Sequence, residues 1–262
     1  MKGMYAVYRK EMGHYFVSPV AYVIVAVFLI LAAYFFTQLL ALYIQRAFEA
    51  GLEEGQFGGG AAFDVPSLVM RSFFGVLSTL LLFLTPMLTM GGYAEERRRG
   101  TMELLMTSPV TDVQIVLGKF LASITLLVIM LLPTAIGFAY MLHHSEPTAP
   151  WRVLGSEYLG VFLLGTALLA IGSFFSSVTE SQLIAVILSF GANLLLWVLD
   201  FGSQTASSAW ASALEYLSAF RHYDDFTRGV IDTSNVIFYL SFIFLGVFLT
   251  IRSVDSMRWR RA

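Results

Sequence analysis

Six stretches of this sequence carry no Lys, Arg, Asp or Glu, and each is about as long as a bilayer is thick. They lie between Glu11 and Arg46, Arg71 and Glu95, Lys119 and Glu146, Glu157 and Glu180, Glu180 and Asp200, and Asp232 and Arg252. A helix needs about 20 residues to cross roughly 30 Å of hydrocarbon. A charge at mid-bilayer costs about 2.5–3.5 kcal/mol on insertion scales, so runs of this kind mark membrane spans. Spans are expected near 20–44, 72–92, 120–142, 158–178, 181–199 and 234–251. Composition agrees: 13% of the 262 residues are charged, about half the usual share in a soluble domain. The expected fold is an all-α polytopic membrane protein, one transmembrane domain over 1–262. The chain has no cysteine, which excludes disulfides and thiolate metal sites. A net charge of −2 leaves no nucleic-acid footprint. The first apolar run is too long for a signal-peptide core, so the N-terminus is expected to be unprocessed.

Six spans put both termini on one side. The N-terminus, the 91–119 island, the turn at Glu180 and the C-terminus hold 11 of the 16 basic residues and 7 of the 18 acidic ones. The positive-inside rule therefore makes this the cytoplasmic side.

Between the spans the residues point to local roles. Lys2–Phe16 mixes Tyr5, Tyr8, Tyr15 and Phe16 with Arg9, Lys10 and Glu11, the pattern of an interfacial helix. Ser18-Pro19 ends it and opens the first span. Residues 45–70, with Gly58, Gly59 and Gly60 in a row, read as an outside loop, either solvated or contacting an external partner. Pro86 falls in the second span and Pro133 in the third. Thr111 and Gln114 form a capping box that starts the third helix ahead of its span. His143-His144 lack further ligands nearby, and no metal site is expected there. Residues 143–157 read as a second outside loop. Gly172 and Ser176 form a small-xxx-small pair in the fourth span. Ala185, Ser189 and Asn193 form a small-to-polar stripe on the fifth, either gluing helices or lining a path. The charge-free 201–214, with Trp210 and Leu214, is too short to span and fits a re-entrant or interfacial segment. Arg221, Asp224, Asp225 and Arg228 follow and are expected to pair among themselves. The C-terminus sets Trp259 among Arg258, Arg260 and Arg261, a basic anchor for an anionic leaflet.

The island itself reads GGYAEERRRGTMELLMTSPVTDVQIVLGK over Gly91–Lys119. Glu95, Glu96 and three arginines leave the bilayer. Gly100 breaks the helix and Thr101 can cap a new one. Met102, Leu104, Leu105 and Met106 then make an apolar side opposite Glu103, and Ser108-Pro109 stops the helix. So short an amphipathic helix is unstable alone; it needs a partner's groove or the leaflet surface.

These residues resemble the signature of type-2 ABC transporter permeases, in which G-T-x-E-x-L, S-P-V and a later G-K mark a cytoplasmic elbow touching the ATPase. The N-terminal K-E…Y-F-x-S-P-x-A-Y, here Lys10 to Tyr22, and F-x-R-G-V-I-D, here Phe226 to Asp232, resemble the branch found in gliding-motility and related export systems. The resemblance implies an exporter permease that pairs with a second permease subunit, as homodimer or heterodimer, and with an ABC ATPase subunit, with or without an extracytoplasmic accessory protein. It implies an ATPase-coupling set of Glu95, Glu96, Gly100, Thr101, Glu103, Leu104, Leu105, Ser108, Pro109 and Glu180. No cofactor is expected on this chain, because Gly118-Lys119 runs into Phe120 without the upstream glycine of a P-loop. ATP and Mg are placed on the partner, and this chain is not expected to be an enzyme.

Three other readings remain. An ion-coupled secondary transporter would place ionisable groups at mid-membrane, and the expected spans hold none. A membrane enzyme would need H-E-x-x-H, G-x-S-x-G or paired intramembrane carboxylates. A permease-like subunit could also pass ATPase-driven mechanical work to an external machine without moving a solute. A charge-free interior with Asn, Ser, Thr and aromatic residues suits a lipid-like or polymeric cargo better than a small ion.

Overall fold

A computed structural model describes residues 2–57, 64–106, 109–144, 150–205 and 218–259. Every regular element among them is helical: α1 (Lys2–Val17), α2 (Pro19–Phe57), α3 (Val65–Thr89), α4 (Ala94–Arg98), α5 (Thr101–Met106), α6 (Asp112–His143), α7 (Trp151–Val178), α8 (Gln182–Thr205), α9 (Ala219–Thr227) and α10 (Thr233–Trp259). Six of them, α2, α3, α6, α7, α8 and α10, are long and apolar enough to cross a membrane.

The breaks fall where local chemistry puts them. Ser18 separates α1 from α2, and Pro19 takes the first helical position of α2. Asp64 caps α3 by accepting from the Ser67 N–H, with Pro66 in the first turn. Gly100 has φ +68°, a left-handed turn that separates α4 from α5 at no steric cost. The capping box at the start of α6 is complete, Thr111 and Gln114 each accepting from the other's backbone. Ser218 caps α9, and Gly229 at φ +79° turns the chain away from its end.

α7 forms the centre. In its most apolar stretch 72% of residues are buried, against 61% in α3 and α6 and 22% in α2 and α8. Phe73 and Phe74 of α3 pack edge-on with each other and meet Phe138 of α6 at 4.9 and 5.8 Å between ring centroids. Phe36 of α2 closes the group at 5.1 Å from Phe138. α2, α8 and α10 are left with wide apolar faces exposed, such as Ile30, Leu183 and Phe244, as expected of helices whose solvent is hydrocarbon.

Three expectations need correction. Residues 65–70 are the start of α3 and residues 45–57 the end of α2, not parts of a loop. The latter segment is rich in helix-favouring Ala, Leu, Gln and Glu, and the Gln45 amide donates to Glu49 one turn on. A charge-free run marks where hydrocarbon begins and ends, not where a helix does. Residues 151–157 likewise form the first turns of α7. Glu157, taken as a loop residue bounding a charge-free span, is fully buried there, and neither carboxylate oxygen meets a hydrogen-bond partner among the described residues. The cluster after α8 does not pair only within itself: Asp224 pairs with Arg228 but also with Arg71 of α3, and Asp225 accepts from Asn235 of α10. The triple glycine, Ser108 and the Trp210–Leu214 segment lie outside the described residues, and α8 itself runs on to Thr205.

Candidate functional site

The island between α3 and α6 is fastened to four other helices. At the end of α3 the chain turns through Gly91 and Gly92 into α4, whose first backbone N–H groups would be orphans. Ser176 of α7 supplies the missing partner: its Oγ accepts from the N–H of Tyr93 (3.2 Å) and of Ala94 (3.3 Å) and donates to Met90 O (3.1 Å). One turn earlier on α7, Gly172 lets Thr89 approach so closely that an added Cβ would stand 2.3 Å from its Oγ1. The small-xxx-small pair thus seats the end of α3 on α7.

Behind the turn lies a buried ion cluster. Lys119, in the second turn of α6, is 4% exposed. Its Nζ donates to Glu11 Oε1 of α1 at 2.7 Å and to Gly92 O at 2.8 Å, lies 3.0 Å from Glu96 Oε2 of α4 and sits 5.4 Å from the centre of the Tyr93 ring. Lys10 of α1 completes it with a 2.6 Å bond to Glu96 Oε1. Burying one ammonium ion costs several kcal/mol, offset only when its donors are all used. Here two carboxylates, a carbonyl and an aromatic face do so, and two cations balance two anions.

α1 reaches this place by crossing the start of α6. Gly118 makes the crossing: an added Cβ would lie 2.9 Å from Met4 O and from Val7. Tyr8 bonds Thr125 at 3.2 Å and Tyr15 bonds Ser123 at 3.1 Å. Burial pushes the Tyr15 phenol up to about 12, further raised by Glu11 and partly relieved by Ser123, so it stays a neutral donor.

On its outer side the island is tied to the α7–α8 turn. Arg97 donates to Ser177 O at 2.8 Å and pairs with Glu180 at 3.2 Å, while Glu95 pairs with Arg99 one turn along. Thr101 is the first residue of α5, inside the helix instead of ahead of it, and its hydroxyl turns back to Glu96 O. Met102 is buried against Tyr93, Val116 of α6 and Val254 of α10, with Leu105 half-buried beside them. The expectation that α5 needs a partner's groove or a leaflet is corrected here: part of its apolar side is covered by this chain itself. Pro109 is exposed; the side chains of Glu103 and Leu104 lie outside the described residues.

The stripe on α8 is elsewhere. Ala185, Ser189 and Asn193 are all buried, and Asn193 Nδ2 donates to Thr85 Oγ1 of α3 at 3.2 Å. Sequence reasoning found Lys119 and Glu11 as markers of span edges and Glu96 as part of the charged island, but not their meeting. The available signal was that opposite charges flanking different apolar runs on one side of the membrane share one depth.

Six helices long and apolar enough to cross a membrane, with a braced polar elbow between two of them, define a polytopic membrane protein. Residues 5–251 match the profile of the ABC-2 family transporter proteins, and the chain belongs to that family. It is thus the permease subunit of an ABC transporter, a membrane component that works with an ABC ATPase subunit. A comparison with curated proteins returns no match.

Proposed function

We propose that this permease belongs to the gliding-motility and export branch and drives outward movement of a lipid-like or polymeric cargo. Both termini and the α4–α5 elbow face the cytoplasm of a bacterial inner membrane. The ATPase, holding ATP and Mg, docks against the elbow through Glu103, Pro109 and the neighbouring Glu180 turn. A second permease copy or homologue completes the membrane unit, with an accessory protein on the far side. α1 lies along the inner headgroup layer. The Ala185–Ser189–Asn193 stripe holds α8 to α3 and does not line a path.

One observation supports this most: the Lys119 cluster joins the elbow, through Glu96, to α1, through Glu11, and to α6. A push on α4–α5 is thereby passed to three helices at once instead of being lost in a flexible loop. Affinity purification of the tagged chain tests the reading. An ATPase subunit with a P-loop should co-purify with wild type and be lost with Glu103→Arg and Glu180→Arg. If no such subunit accompanies wild type, or both variants retain it, the elbow is not the docking point.

A further inference from the structure

A crevice of about 390 Å³ lies where α1 bends into α2, between that bend, the end of α3 and the first residue of α8. A polar pocket of about 200 Å³ adjoins it, sharing Glu11, His14, Gly91, Glu95 and Arg99 as lining. Its walls are graded. One end is charged, with His14, Glu95 and Arg99, and Gln182 close by; the other is apolar, with Ile24, Met87 and Leu88. Ile24 lies five residues beyond Pro19 on α2, and Met87 four before Gly91 on α3. At 1.5 Å per residue the apolar end is about 6–8 Å further along the spans, towards the hydrocarbon. The gradient matches an amphiphile standing parallel to the helices. A free anion would use only the upper part.

The charges narrow the headgroup. Glu11 and Glu96 are taken up by Lys119 and Lys10. Glu95 is the acid left, paired among the described residues only with Arg99, whose side chain is 64% exposed. A guanidinium has five N–H donors, so Arg99 can hold Glu95 and a phosphodiester together. We propose that this crevice binds one ethanolamine phospholipid, its phosphodiester on Arg99 and His14, its ammonium on Glu95, and its acyl chains along Ile24, Met87 and Leu88. A glycerol headgroup offers Glu95 no cation, and a choline headgroup has no N–H to donate. The lipid would touch α1, α2, α3 and α4, so it would fill space around the elbow that no described side chain occupies.

Native mass spectrometry of the purified chain, given equal amounts of phosphatidylethanolamine, phosphatidylglycerol and phosphatidylcholine, tests this. One ethanolamine lipid per chain should be retained, about tenfold or more above the other two. Glu95→Gln should remove the preference for ethanolamine over glycerol. Arg99→Ala should weaken both, and Ala21→Trp, filling the deep end, should weaken all three. Arg252→Ala, outside the crevice, should bind as wild type does. Equal retention of the three lipids by wild type, or an unchanged preference in a Glu95→Gln protein whose thermal midpoint matches wild type, overturns the proposal and leaves only annular lipid. The readout involves no ATPase, so it fails or succeeds independently of the coupling reading.

Discussion

Lys119 Nζ lies 2.7 Å from Glu11 Oε1, and the two side chains are only 4% and 9% exposed. The bond joins the first helix of the chain to the base of the third span and, through Glu96, to the elbow between them. A buried pair of this kind is weak grounds for net stability but a strong reason for one geometry: each charge is tolerable only where the other stands. Lys119→Met would leave Glu11 and Glu96 buried against one remaining cation, Lys10. It should cost about 3–5 kcal/mol, seen as a lower thermal midpoint in detergent. Adding Glu11→Gln should restore part of the loss, since coupled sites are not additive. A single-variant cost below about 1 kcal/mol would mean the cluster does not hold the elbow.

Gly118 permits the α1–α6 crossing that makes this pairing reachable. Gly118→Leu should push α1 off α6, at about 1–3 kcal/mol for overpacking. Because the chain has no native cysteine, a Tyr8→Cys/Thr125→Cys pair reports the crossing cleanly. Cross-linking by a short bismaleimide, which spans the gap a tyrosine ring leaves, should be efficient with Gly118 and sharply reduced with Leu there. Equal cross-linking in both would show that α1 is not seated by this glycine.

Arg97 and Glu180 form one ion pair but have different jobs. Arg97 also donates to Ser177 O at the end of α7, whereas the Glu180 side chain is 65% exposed. Glu180→Ala should change the thermal midpoint little, as exposed pairs contribute about 0–1 kcal/mol. Arg97→Ala should lower it more and should speed amide exchange in residues 93–99. If the two variants are indistinguishable by hydrogen exchange, the carbonyl bond adds nothing to the pair.

Glu157 is fully buried in α7 with both oxygens unpartnered among the described residues. Two buried carboxyl oxygens without partners leave a desolvation cost unrecovered in either protonation state. Glu157→Gln keeps the shape and removes the ionisable group, so the thermal midpoint at neutral pH should rise. A fall would show that the carboxyl group is needed where it stands.

Much of this protein was legible in its sequence because hydrocarbon imposes a simple rule. Charge-free runs locate six spans, and single residues set the breaks: Ser18-Pro19, Gly100 and the Thr111–Gln114 box each act through their own backbone, with no help from afar. The same rule concealed helix length, since α2 runs on to Phe57, well past the charge at Arg46 that ends its apolar run. It also concealed Glu157, which burial by neighbouring helices, not by lipid, makes costly. What only the tertiary structure decided is which markers meet. Glu11, Glu96 and Lys119 are spread over more than a hundred residues, and nothing local favours their contact. They come together because Gly118 lets α1 cross α6 and because Gly172 and Ser176 seat the end of α3 on α7. Close approach at small residues sets where the buried charges find one another, and that is a property of the packed bundle alone.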